Sequence, residues 1–208
     1  MSELQTDEEK VEAIKQWWKE NGTAVVTGIA IGLGAVIGWQ QWGAYQDRKG
    51  QQASAAFEQL LIAAPEETQS ALKQAALIED EHGSTPYATF ATLVAAKVKL
   101  SDGDFAGAKK AYQRVIEKAP DPALSRIATL RMARLLLSEG AVDEAAAIVA
   151  KGDNGASFAG DFAAIRGDIA VAGQRMDDAR EAYQQALDTG TTLPELIQLK
   201  LDNLPPAG

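Results

Sequence analysis

Cysteine is absent from this chain, and histidine occurs once, at His82. A chain without thiols forms no disulfide, which agrees with an oxidising compartment and is compatible with either side of a membrane. With a single imidazole and no HExxH, GxSxG or phosphate-loop pattern, the usual constellations of catalytic and metal chemistry have no residues to work with. His82 precedes Gly83 near the end of a candidate helix, where a capping or solvated histidine is the ordinary outcome. Glu79, Asp80 and Glu81 are consecutive, so on a helix they do not share a face and are expected to form a solvated charge cluster. Gly103-Asp104 and Asp153-Asn154-Gly155 read as turns, because the ligand series of a calcium loop is missing. No metal, cofactor or enzymatic activity is expected.

Charge is missing too, from one stretch. Residues 21–46 carry no charged side chain, and their apolar middle, residues 24–38, lies between Trp17 and Trp18 on one side and Trp39 and Trp42 on the other. As a helix, residues 22–42 would be roughly 31 Å long, matching a hydrocarbon core of about 30 Å. All four tryptophans of the chain flank this segment, where indole rings favour the headgroup level. A cleaved signal is disfavoured: the start is long and acidic, and the small-x-small site Ala53-Ser54-Ala55 lies beyond Asp47, Arg48 and Lys49. A retained single-pass anchor is expected. Gly28, Gly32, Gly34 and Gly38 place small residues four apart within it, a pattern that lets a second helix approach and that also reflects the abundance of glycine in membrane helices.

The flanking bases, Lys10, Lys15 and Lys19 before and Arg48 and Lys49 after, orient the span weakly. A short amino-terminal piece before an uncleaved span commonly stays in the cytoplasm while the rest is translocated. The expected layout is a cytoplasmic amphipathic tip (1–22), a transmembrane helix (23–45) and a periplasmic domain (46–208), anchored in a bacterial inner membrane. Thr6 and Glu9 have capping-box spacing, Asp7 and Glu8 suit a helix amino terminus, and Val11, Ile14, Trp17 and Trp18 share a face. This predicts a helix lying along the membrane surface until a turn at Asn21-Gly22; a straight helix through Gly22 is the alternative.

After residue 46 come 23 acids against 17 bases, a balance that argues against nucleic acid and anionic lipid headgroups as partners. No run alternates β-branched and polar residues, whereas apolar residues recur three and four apart. An all-α domain is predicted, with helices near 48–63, 66–82, 86–100, 104–119, 122–138, 141–151, 156–172, 176–188 and 194–202. Pro65, Gly83, Pro86, Gly103, Pro120, Pro122, Gly140, Gly152, Gly155, Gly173, Gly190 and Pro194 punctuate them.

A repeat emerges from those breaks. Gly103, Phe105, Ala108, Tyr112, Val115 and Pro120 follow the second half of a tetratricopeptide repeat; Gly140, Val142, Ala145 and Val149 return in the same order, then Met176, Ala179, Tyr183 and Ala186. Ala96, Ala133 and Gly167 supply the small residue of each preceding helix. Antiparallel helices come close only where a side chain is small, so the alanines set the crossing and the tyrosines fill the space beside it. Residues 48–82 read as a degenerate first unit, and residues 194–202, with Leu196, Ile197, Leu199 and Leu201, as a terminal cap; LPPAG should fray. Stacked pairs present a face built from first helices, and Lys97, Arg126, Arg131, Arg134 and Arg166 lie in or near those helices, as candidate groove residues or as ordinary exposed charges.

Taken whole, the chain resembles the YfgM-like family of ancillary SecYEG translocon subunits, on the motif VEAIKQWWKENG with Glu12, Trp17, Trp18, Asn21 and Gly22, and on the closing run IQLKLDNLP. The resemblance implies a non-catalytic membrane accessory beside the secretion channel, with a SecYEG-type translocon and a membrane-anchored periplasmic chaperone as partners, assisting emerging envelope proteins. Related domains also serve cell-division and stress-response regulation, so the repeats alone do not choose between these roles.

Overall fold

The computed structural model describes residues 7–153 and 157–206, and every regular element among them is a helix. The chain divides into two compact units, residues 1–51 and 52–208, with one helix, α1 (Asp7–Ala63), continuing from the first into the second.

In the first unit α1 carries the apolar segment and its tryptophans. It is long and apolar enough to cross a membrane. Its large apolar side chains, Ile29, Ile31, Leu33, Val36, Ile37 and Trp39 among them, are exposed, as suits a helix solvated by lipid and not one inside a protein core. The turn expected at Asn21-Gly22 does not form. The Asn21 amide donates to the Trp17 carbonyl at 3.0 Å, and the Trp18 indole lies over Gly22, 3.2 Å from where a Cβ would stand. Thr27 donates its hydroxyl to the Thr23 carbonyl at 2.8 Å. A continuous helix satisfies each backbone group internally, which a turn entering a bilayer would not. Residues 48–63 likewise are not a separate helix but the end of α1, which meets no proline until Pro65. Thr6, half of the expected capping box, lies outside the described residues.

The second unit holds the end of α1 and eight further helices: α2 (Thr68–Glu81), α3 (Pro86–Ser101), α4 (Phe105–Lys118), α5 (Pro122–Ser138), α6 (Val142–Gly152), α7 (Ala159–Ala172), α8 (Met176–Thr189) and α9 (Pro194–Asp202). Each packs mainly on its neighbours in sequence, so the core is a row of four clusters and not one centre. Leu60, Ala71, Ala75, Ile78, Ala91, Ala95 and Val98 join the first pair to α3. Ala108, Tyr112 and Val115 of α4 fill the space between α3 and α5. Phe162 and Ile165 of α7 meet Ala145 and Val149 of α6, and Ile197 of α9 closes the row against Ala179, Tyr183 and Ala186.

The repeat signature acts as the packing argument requires. Ala96, Ala133, Ala108, Ala145 and Ala179 have no accessible surface. Gly167 is tighter still: a Cβ there would stand 2.3 Å from the Tyr183 ring. The turns inside the three pairs share one hydrogen-bond pattern. Gly103 N–H donates to the Leu100 carbonyl and Asp104 N–H to that of Lys99; Gly140 and Ala141 repeat this with Leu137 and Leu136, and Gln174 and Arg175 with Val171 and Ala170. The left-handed residue is Gly103 (φ 80°) and Gly140 (φ 77°) in the first two turns, but Gln174 (φ 59°) in the third, one position beyond the glycine expected to break the chain there.

Polar residues fasten the stack at three places that the sequence pattern does not mark. Glu79 accepts from Thr92 (2.7 Å) and pairs with Arg114 (2.6 Å), tying α2, α3 and α4 together; of the expected charge cluster only Asp80 and Glu81 are exposed. Asp161, 4% exposed, accepts from the Thr191 hydroxyl and from both the backbone N–H and the hydroxyl of Thr192. Asp168 accepts from the Tyr183 phenol (2.7 Å) and the Lys200 ammonium (2.6 Å). In the LPPAG run, expected to fray, Leu204 packs on the last cluster and Arg180 donates to the Pro205 carbonyl, while Ala207 and Gly208 lie outside the described residues.

Candidate protein-binding groove

Three of the five candidate basic residues converge. Lys97 of α3 and Arg131 and Arg134 of α5 surround a cavity of about 510 Å³ completed by Leu100, Phe105, Tyr112, Leu135 and Ser138. Helical spacing explains the convergence: Lys97 and Leu100 are three apart on α3, and Arg131, Arg134 and Ser138 follow at three and four on α5, so each set shares a face. The floor comes from α4, where Tyr112 is buried and Phe105 remains 47% exposed. Burial pushes the Tyr112 phenol above its ordinary range, and the Arg131 cation opposes that shift.

The other two arginines stand elsewhere, for separate physical reasons. Arg126 is 5% exposed, and its guanidinium lies 4.8 Å from the centre of the Phe162 ring. It is a core cation held by stacking, and none of its guanidinium nitrogens is hydrogen-bonded among the described residues. Arg166 donates to Asp153 and, at 3.1 Å, to Gln185, and so lines a second groove of about 400 Å³ between α6 and α8 with Val149, Ile169, Arg175, Asp178 and Glu181. That groove carries both signs of charge. The first carries only positive charge.

Phe105 is the groove residue that the repeat pattern hides. It occupies the position of Val142 and Met176, both half-buried, and would by analogy be packing material. It opens α4 directly after Asp104, whose carboxylate caps the helix by accepting from Gly107 N–H at 2.8 Å. The larger ring at this first position extends past the core, and its size was the available signal. His82 is no part of the groove: it is the C-cap residue of α2, and its carbonyl accepts from the Thr85 hydroxyl at 2.8 Å.

In the first unit, a Cβ added to Gly28, Gly32, Gly34 or Gly38 would meet nothing within 4 Å. The four present bare backbone along a helix whose neighbouring side chains are apolar.

Comparison with known proteins agrees with this architecture. A family model for a tetratricopeptide repeat-like domain matches residues 15–206, so the match runs through the apolar helix as well as the repeats. The chain is 29% identical over 199 residues to an ancillary SecYEG translocon subunit of Haemophilus influenzae, covering 95% of this chain and 97% of that protein. It is 30% identical, with the same coverage, to the protein of that name from Aggregatibacter actinomycetemcomitans. Identity to the Escherichia coli K12 protein of that name is 27% over 208 residues, covering 98% of this chain and 99% of the other. No solved structure matches the chain.

Proposed function

We infer the function from one premise: the chain belongs to the tetratricopeptide repeat-like domain family, together with relatives named ancillary SecYEG translocon subunits. Our reading is a non-catalytic accessory of the Sec translocon, held in the bacterial inner membrane by α1. Residues 1–20 stay in the cytoplasm and the repeat domain faces the periplasm, where it binds protein partners, a membrane-anchored chaperone among them, and assists chains leaving the channel. The observation that carries the reading is the extent of the likeness, since alignments covering 95% of this chain and 97% of a relative leave neither the anchor nor the repeats out.

Physical chemistry supports the division of labour. The exposed apolar face of α1, bare at four glycines, suits close packing against another helix in the bilayer, where association rests on shape and not on the hydrophobic effect. Helix-pair stacks bind through surface shape and need no reactive group. Exchanging residues 1–46 for an unrelated single span, then purifying SecYEG and counting what accompanies it, tests the reading. Association should fall sharply while the repeat domain stays folded. Unchanged association would reduce the anchor to a tether and move recognition to the repeats. Protease added to spheroplasts should digest residues 47–208 and spare an anchor fragment; full protection would reverse the orientation.

A further inference from the structure

We propose that the groove between α3 and α5 receives an acidic, extended segment of a partner polypeptide. The proposal rests on reading the repeat domain as protein-binding, and it names the chemistry of the occupant.

Three observations converge. Lys97, Arg131 and Arg134 line one cavity of about 510 Å³ in which no lining residue is acidic. None of the three side-chain cations has an ion-pair or hydrogen-bond partner among the described residues, although neighbouring cations do: Lys99 with Asp104 at 3.6 Å, Lys109 with Glu139 at 2.9 Å and Arg114 with Glu79 at 2.6 Å. The whole chain carries a net charge of −9, so a pocket lined by charge of positive sign alone departs from the rest of its surface in a way that favours anions. Cations gathered without counter-charge favour a partner that brings it.

The shape selects among anions. Phe105, 47% exposed, and Leu100 give the cavity an apolar side that a bare phosphate would leave unused. Nucleic acid would meet the acidic remainder of the domain as soon as it extended past the groove. Alternate carboxylates of an extended chain lie about 6.6 Å apart, comparable to the roughly 5–6 Å between Cβ atoms three residues apart on a helix, the spacing of Arg131 and Arg134. An extended segment can therefore set acids against both arginines and an apolar residue against Phe105.

The full-length protein in nanodiscs, titrated into a fluorescent peptide of Asp and Glu interrupted by leucine, tests this by anisotropy. The same peptide with Asn and Gln in place of the acids is the reference probe. Acidic peptide should bind and its affinity should fall about tenfold or more in the combined variant Lys97→Glu, Arg131→Glu, Arg134→Glu. The neutral variant Lys97→Gln, Arg131→Gln, Arg134→Gln should show a smaller loss, and Lys73→Glu with Lys118→Glu none. Absence of binding to the unaltered protein, equal binding of the amide peptide, or an equal loss in the Lys73 and Lys118 control would each overturn the proposal. The span exchange must leave peptide binding intact. SecYEG co-purification from the same samples separates the two readings, because it follows the anchor while peptide binding follows the groove.

Discussion

Glycine does opposite work in the two units of this protein. Where helices of the repeat domain pack at Gly167, Gly152 and Gly160, the site of the missing Cβ is already occupied, by the Tyr183 ring, by Thr129 and by the Gly190 carbonyl. In the apolar helix the space beside Gly28, Gly32, Gly34 and Gly38 is open. One residue type thus marks contacts already made within the chain and faces left bare by it. A small residue in a repeat protein is understood only when its neighbour is known.

The sharpest way to break that comparison is to add one methyl group on each side. Gly167→Ala should destabilise the repeat domain by about 2–3 kcal/mol, because the Tyr183 ring is held through its phenol and cannot retreat. Gly32→Ala should cost the isolated protein nothing in the same denaturant titration, since its Cβ enters open space and alanine favours helix. Equal losses at the two sites would dissolve the distinction.

A smaller effect, confined to the repeats, comes from alkali. Tyr183 is shifted well above its ordinary value of 10.0, by burial first and then by its hydrogen bond to Asp168 and the charge of that carboxylate; Tyr112 is shifted the same way by burial. Both phenols therefore stay protonated in the folded state where the unfolded chain has begun to lose protons. Stability is intact below pH 10 and declines as pH rises through the unfolded value, by at most about 1.4 kcal/mol per pH unit for each tyrosine. Denaturant midpoints between pH 9 and 11 should fall, and Tyr112→Phe should flatten the slope. The apolar stretch of α1, whose one tyrosine, Tyr45, is exposed, should show no such dependence.

The smallest effect sits in the turns. Gln174→Gly should stabilise the domain by about 0.4–1 kcal/mol, because a left-handed backbone costs glycine nothing, while Gly140→Ala should destabilise it by about 1 kcal/mol. Thermal unfolding of the two variants would show it. A loss on Gln174→Gly would mean that the side chain earns its place there.

Periodicity made most of the fold readable, and the reason is particular. Ala108, Ala145 and Ala179 recur with their turns because each helix pair solves the same crossing problem, so α5 and α9 fall where the punctuation put them. What stayed hidden depended on partners far along the chain. Asp161 looks like any helix-start carboxylate until Thr191 and Thr192 return to it, and Glu79 looks solvated until Arg114 arrives. The groove divided along the same line. Spacing placed Lys97, Arg131 and Arg134 in first helices, but only packing shows that Arg126 turns inward onto Phe162 and that Arg166 joins another surface. At Asn21-Gly22 glycine's conformational freedom points to a turn, but the cost of unpaired backbone at a membrane outweighs it and the helix continues.

The row of neighbour-to-neighbour contacts bears on how this chain comes into being. Each helix from α3 onward finds most of its packing in elements just before and just after it, the contact of α5 with α7 reaching only one helix further, and among the described residues no strand waits for a distant mate. Structure can therefore accumulate from the amino-terminal end as successive pairs emerge, each pair docking on a surface already in place, with little loop entropy to overcome at any step. Only α9 is left to the end, and with Ile197 seated the growing edge is sealed. A protein organised this way can mature at the pace of its own delivery.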